Sequence, residues 1–319
     1  YLRQMTIHSR FARNFNPAQQ KDGAQMLKIA VGPGGDGPRW TEWTETIMRA
    51  YKNRQWSWDM HGLSLHNYTV VRFPASYKSV GFDEADYALL LSETLKMDGL
   101  IRHHGAIMDA YDPQKRVALV VDEWGAWYAQ LPGTTPGFLA QQNSIRDALI
   151  AALNINIFAR HADRVRMANI AQMVNVLQAL ILTDGPRMVR TPTYWIHQMY
   201  LPMQDATLIP VRFDAGTYTR GAITLPAIDA LALRDTSGKL WLSLVNLDPH
   251  RSREVTLEVP GITVRRAQGQ VLTAPNVNSV NTFDDPDAVT PNAISGTARG
   301  GKVTVTLPAK SVAMISIER

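Results

Sequence analysis

The sequence predicts an α/β segment joined to an all-β one: about four βα units, half of a (β/α)8 barrel, followed by an antiparallel β-sandwich of jelly-roll type. Three observations carry this expectation. Short, almost wholly apolar runs alternate with helical periodicity from residue 1 to about 185. Period-two alternation broken by turn residues takes over from 186 to 319. Within the first of these segments, the aliphatic run Ala118–Val121 leads straight into two acids and then into aromatics.

Taken in order, Leu27–Val31, Gly62–His66 and Val117–Val121 are short enough and apolar enough to be strands buried on both faces, as in a parallel sheet. Val165–Asn169 reads as a fourth strand. Helical patterns run from Trp40 to about Tyr51, with Thr41 as a cap, and from Glu84 to about Ala110. In Phe138–Ala159 the residues Ile145, Leu149, Ala152, Leu153 and Ile157 form an apolar stripe that leaves Gln142, Arg146 and Asp147 to one side. Met173–Leu182 reads as a further helix, and Tyr1–His8 as the middle of an amphipathic one. Strand–helix alternation implies βα units with right-handed crossovers, about four of them. After Asp184-Gly185-Pro186 the segments Lys239–Asn246, Glu254–Val259 and Lys302–Leu307 alternate as strands. Ser311–Ile317 reads as a closing strand, with turns at Thr236–Gly238 and Pro260-Gly261. The loop from Asn276 to Asn292 is long enough to need something to pack on.

Composition narrows the function classes. With 319 residues, 45% hydrophobic and 19% charged, the chain is too apolar for a disordered one. It has no run of roughly 18 apolar residues, so no membrane helix is expected. There is no cysteine, which removes thiolate chemistry and leaves the compartment open. The first residues lack the features of a secretion signal. The net charge of +5 is mild and only Arg3, Arg10 and Arg13 cluster, spaced like the polar face of a helix, so nucleic acid is not an expected partner. His103 and His104 are adjacent on a helix, face different directions and offer no shared metal site. Gly32–Gly37 is glycine-rich but lacks the Lys-Ser/Thr of a phosphate loop, and reads as a flexible βα loop. Ser64 and Ser144 stand in no nucleophile elbow.

The strongest chemical signal is Val120-Val-Asp-Glu-Trp-Gly-Ala-Trp-Tyr128. A strand ending in an acid delivers it to the C-terminal rim of a parallel barrel, where active sites of that fold are built. The aromatics that follow suit a sugar, whose C–H faces pack on flat rings. Alternation puts Asp122 and Glu123 on opposite faces without deciding which points inward. His66 and Tyr68 are two apart on an extended segment and so share a face. Ala168–Gln172 ends the fourth strand with amides suited to hydroxyl recognition.

These motifs resemble the α-L-arabinofuranosidases of glycoside hydrolase family 51. Ser64-Leu-His-Asn-Tyr-Thr69 resembles the family's Ser-Leu-His-Tyr-Tyr-Thr segment, with Asn67 where an aromatic is usual. Val121–Tyr128 is similar to its nucleophile strand, and Arg164–Asn175 to its eighth strand. Gln204–Thr207 and Asn281–Phe283 are similar to segments of its C-terminal domain.

The resemblance implies a retaining hydrolase that releases arabinose from arabinan, arabinoxylan or their oligosaccharides. Residues 1–185 would be strands five to eight of its barrel and residues 186–319 its sandwich. Glu123 would be the nucleophile, His66 and Tyr68 its neighbours, and Trp127 and Gln172 substrate contacts. No metal or organic cofactor is needed for this chemistry. The family's acid/base glutamate lies in an Asn-Glu motif ending strand four, and this chain has no Asn-Glu dipeptide. The expected partner is therefore an N-terminal barrel half, and the family also suggests a homo-oligomer. An endoglucanase or xylosidase on the same scaffold, or a non-catalytic carbohydrate-binding fragment, are the alternatives.

Overall fold

The computed structural model describes residues 1–16, 18, 25–70, 76–135, 137–259 and 263–318. They form two compact units, one built from Tyr1–Tyr68, Met97–Trp124 and His161–Asn169, the other from Thr69–Lys96, Gly125–Arg160 and the chain from Ile170 onward. The 185/186 boundary falls inside the second unit, in the turn of a hairpin. The Pro260-Gly261 turn lies outside the described residues. Among the described residues no helix is long and apolar enough to cross a membrane.

The first part of the chain runs α1 (Leu2–Phe11), β1 (Ile29–Ala30), α2 (Pro38–Lys52), β2 (Gly62–Thr69), α3 (Glu84–Tyr111), β3 (Ala118–Ala126), α4 (Ile145–Arg160) and β4 (Val165–Ile170). The strands make one sheet in the order β1-β2-β3-β4. β1 and β2 are parallel, with Ile29 opposite Gly62. A helix separates each strand from the next, the crossover that parallel neighbours require. All four expected strands are present. In β3, Leu119 and Val121 are fully buried, as a strand covered on both faces must be. The edges differ: Ile29 on β1 and Met167 on β4 are exposed.

Where β1 leaves the sheet, the Gly32 N–H donates to Ser64 Oγ at 2.9 Å. A Cβ on Gly32 would lie 1.6 Å from the Ser64 carbonyl oxygen. Gly32→Ala is expected to cost on the order of 2–3 kcal/mol through overpacking. Urea unfolding checks this, and an unchanged midpoint would show that the loop simply moves aside.

Several helical expectations need correction. α2 starts at Pro38 with Gly37 as N-cap, because proline is preorganised for the first helical position. Thr41 is therefore inside the helix, its Oγ1 2.8 Å from His103 Nε2. His104 Nδ1 is 2.9 Å from Thr44 Oγ1, so both histidines reach α2 rather than pointing apart. Burial pushes the His104 imidazole below its ordinary pKa. α4 begins at Ile145, not Phe138, since Gly137 and Leu139 have positive φ. Ser144 and Asp147 cap it reciprocally: the Ser144 N–H and hydroxyl both donate to Asp147 Oδ2, while the Asp147 N–H donates to the Ser144 carbonyl.

Arg146 and Asp147, expected off the buried stripe, are both fully buried. The Arg146 guanidinium is sandwiched between the rings of Phe82 and Tyr128, at 3.7 and 4.1 Å. Asp147 accepts from the Tyr128 hydroxyl at 2.6 Å and from Gln178 Nε2 at 2.9 Å. Met173–Leu182 forms no helix. Asn175 and Leu177 adopt positive φ, and the Leu180 and Ile181 N–H groups turn back to the Met173 carbonyl.

The later chain runs β5 (Ile181–Asp184), β6 (Arg187–Arg190), α5 (Pro192–Met199), β7 (Thr207–Ile209), β8 (Thr217–Arg220), β9 (Ile223–Pro226), β10 (Ile228–Arg234) and β11 (Leu240–Asn246). It continues with β12 (Arg253–Leu257), β13 (Arg266–Leu272), β14 (Asn292–Ser295), β15 (Thr297–Arg299), β16 (Lys302–Leu307) and β17 (Ser311–Glu318). A six-stranded sheet β14-β13-β17-β11-β10-β7 and a three-stranded sheet β12-β16-β15 enclose a core of Leu242, Leu244, Val303, Val305, Ala313 and Ile315. This is the expected antiparallel sandwich. β17 does not close it: it pairs with β11 and β13 in mid-sheet, which its near-continuous apolar sequence allows. The Asn276–Asn292 loop packs through Asn281, fully buried, whose Nδ2 donates to the carbonyls of Arg190 and Val289.

Candidate active site

β2 and β3 are neighbours in the sheet, so the C-terminal residues of one face those of the other. Period-two geometry puts His66 and Tyr68 on one face of β2. Both reach the same atom on β3. The Tyr68 hydroxyl donates to Glu123 Oε1 in a short hydrogen bond. His66 Nε2 lies 3.3 Å from that same oxygen. Tyr68 is buried, whereas His66 and Glu123 keep access to solvent. The result is a half-exposed carboxylate held by a buried phenol.

Burial, then donation to Glu123, then the glutamate's charge, together push the Tyr68 hydroxyl far above its ordinary pKa. It is a neutral donor throughout the range below the ordinary tyrosine value. The sign follows from linkage: this protonated form contributes stability in full below the ordinary tyrosine value of about 10. The contribution disappears only as pH rises through the raised folded value. A 295-nm titration of the folded protein, compared with Tyr68→Phe, should show no Tyr68 ionisation near pH 10.

Asp122 is not turned away from this group. Its Oδ1 is 4.0 Å from His66 Nδ1, so the imidazole stands between the two acids. Alternation alone gave no sign of that. The glycine-rich loop is also better tied than expected, and it lies against the site: the His66 N–H donates to the Pro33 carbonyl at 3.0 Å. His104 Nε2 lies 2.7 Å from the Gly35 carbonyl. Ser64 holds the loop through Gly32, a structural task that sequence reading missed.

Trp127 and Gln172 belong to the second unit. Trp127 is half-buried, and its N–H donates to the Thr69 carbonyl at 3.1 Å. Gln172 is exposed, and its N–H donates to the Val176 carbonyl at 3.2 Å.

Parallel strands that end in a carboxylate, followed in the chain by an antiparallel sandwich, define a class of α/β protein whose chemistry sits at the strand ends. Comparison with known proteins narrows it. Residues 122–311 match the α-L-arabinofuranosidase C-terminal domain. The chain is 36% identical over 314 residues to an intracellular exo-α-L-arabinofuranosidase of Bacteroides ovatus, covering 98% of this chain and 58% of the relative. A family 51 arabinofuranosidase structure from Xanthomonas axonopodis pv. citri matches with a TM-score of 0.90 and 47% identity, covering 100% of this chain and 63% of that one. One from Bifidobacterium longum gives 0.76 and 25%, covering 94% and 60%. The chain belongs to the α-L-arabinofuranosidases of glycoside hydrolase family 51. It spans about three-fifths of the length of these relatives.

Proposed function

We propose that this chain carries the nucleophile of a retaining, exo-acting α-L-arabinofuranosidase, and that the nucleophile is Glu123. The single observation that supports this most is the convergence of Tyr68 and His66 on Glu123 Oε1. Both contacts engage one oxygen, which leaves Oε2 to attack. In the first step Oε2 bonds to C1 of the terminal sugar. The C1–O bond to the leaving group breaks, and a carboxylic acid protonates the departing oxygen. In the second step that carboxylate takes a proton from water, the water oxygen bonds to C1, and Glu123 leaves as a carboxylate.

The acid/base must stand about 5–5.5 Å from the nucleophile. We assign it to barrel sequence outside these 319 residues, which the coverage of about three-fifths of the relatives supports. The exposed apolar residues on the edge strands β1 and β4 fit the same reading, since further strands would cover them. Trp127 and Gln172, the sugar contacts that the family resemblance implies, belong to the second unit.

Two measurements test the proposal. The complete protein should cleave an aryl α-L-arabinofuranoside far faster than an aryl β-xyloside. The 319-residue chain purified alone should bind arabinosides weakly and turn them over poorly; efficient hydrolysis by that monomer would refute the missing acid/base. Tyr68→Phe is expected to lower kcat/KM about 10- to 100-fold, because a hydrogen bond to a charged group is worth about 1.5–3 kcal/mol. A change under twofold would remove Tyr68 from the site.

A further inference from the structure

The first unit carries a cleft away from Glu123, lined by cations and an indole. Arg3, Thr6 and Arg10 stand three and four positions apart on α1, on one face of the helix. Facing them are the end of α2 and the loop leading to β2, with Asn53, Ser57 and Trp58. The cleft holds about 490 Å³, enough for a small ligand. Its wall is a stack of rings: the Arg54 guanidinium sits 3.6 Å over Tyr51, and Tyr51 meets Trp58 edge to face at 6.4 Å. Arg54 has its counter-charge, with Nε 3.1 Å from Asp59 Oδ1. Arg3 and Arg10 do not: both are exposed, and neither pairs with an acid among the described residues. On the same loop Trp56 is 97% exposed, an unusual place for an indole. That loop enters β2 at Gly62, the opposite end of the strand from His66 and Tyr68. At about 3.3 Å per residue, the cleft and Glu123 are different places.

We propose that this cleft binds an acidic oligosaccharide. Arg3 and Arg10 take the carboxylate of a uronate, the bidentate geometry for which guanidinium is suited. Trp58 takes a sugar C–H face, and Asn53 and Ser57 take hydroxyls. Two unmatched cations fit a single acidic sugar. They are too few to follow the closely spaced phosphates of a nucleic acid strand.

The inference does not depend on the role of Glu123. Its test is titration of the complete protein with trigalacturonate, followed by calorimetry and tryptophan fluorescence. Maltotriose, inorganic phosphate and a short oligothymidylate are titrated alongside. Trigalacturonate should quench fluorescence and bind at least about tenfold more tightly than each of the other three. The Arg3→Ala/Arg10→Ala double variant should lose about tenfold in affinity with an unchanged circular dichroism spectrum, since both side chains are exposed. Trp58→Ala should lose most of the quench, since Trp58 is the indole that lines the cleft. The proposal fails if trigalacturonate does not bind, or if the double variant binds it as well as the parent does. It also fails if maltotriose, phosphate or oligothymidylate binds equally well.

Discussion

With Glu123 as the proposed nucleophile, Glu123→Gln in the complete protein is expected to lower kcat by on the order of 10⁴-fold or more while the fold persists. The amide has the same shape and still accepts the Tyr68 hydrogen bond, but it carries no charge and cannot form the ester to C1. The fold should tolerate the change because the Glu123 side chain is 36% exposed, so no buried cation is orphaned. Circular dichroism and Tm should stay near the parent values. A second variant separates nucleophile from bystander. Glu123→Ala should recover turnover in azide, which bonds to C1 in place of the carboxylate and releases a glycosyl azide of inverted configuration. Near-normal hydrolysis by either variant without azide would take Glu123 out of the mechanism.

The largest expected loss of stability comes from Arg164→Ala, about 3–5 kcal/mol. Arg164 and Asp112 are each 3% exposed. The guanidinium donates to Asp112 Oδ2 at 2.9 Å, to the Val117 carbonyl at 2.8 Å and to the Asp112 carbonyl at 2.9 Å, and it also pairs with Asp109. Asp112 Oδ2 accepts from the Val117 N–H at 2.8 Å. One fork thus ties the end of α3, the start of β3 and the start of β4. Alanine would leave a buried carboxylate without its counter-charge and take a donor from two carbonyls, of which that of Asp112 keeps the Lys115 N–H. Arg164→Lys should fall between, since an ammonium restores charge but not the fork. Denaturant unfolding reads both variants, and a loss below about 1 kcal/mol for alanine would show that water replaces the network.

The strands that carry the site were legible because burial on both faces leaves no choice of residue: Leu119 to Val121 can only be aliphatic there. The pairing of His66 with Tyr68 on one face followed from strand geometry alone. Asp122 beside His66 did not, because alternation describes a strand in isolation and the imidazole arrives from its neighbour. Arg146 and Asp147 were misplaced for the same reason. Polar residues read as solvent-facing until Phe82, Tyr128 and Gln178, far away in sequence, supply the rings and donors that allow burial. Met173–Leu182 has helical periodicity, yet Asn175 and Leu177 turn it into a loop bonded across itself.

Local order along the chain was enough to specify the strand–helix alternation, the antiparallel sandwich and the acid that ends β3. Each of these reflects the period at which apolar residues must meet a core. Folding in three dimensions settled which carboxylate oxygen Tyr68 and His66 engage, that Arg146 and Arg164 are buried, and that Arg3 and Arg10 face an open cleft. Such outcomes depend on side chains brought together from distant segments, and short-range periodicity holds no information about those meetings.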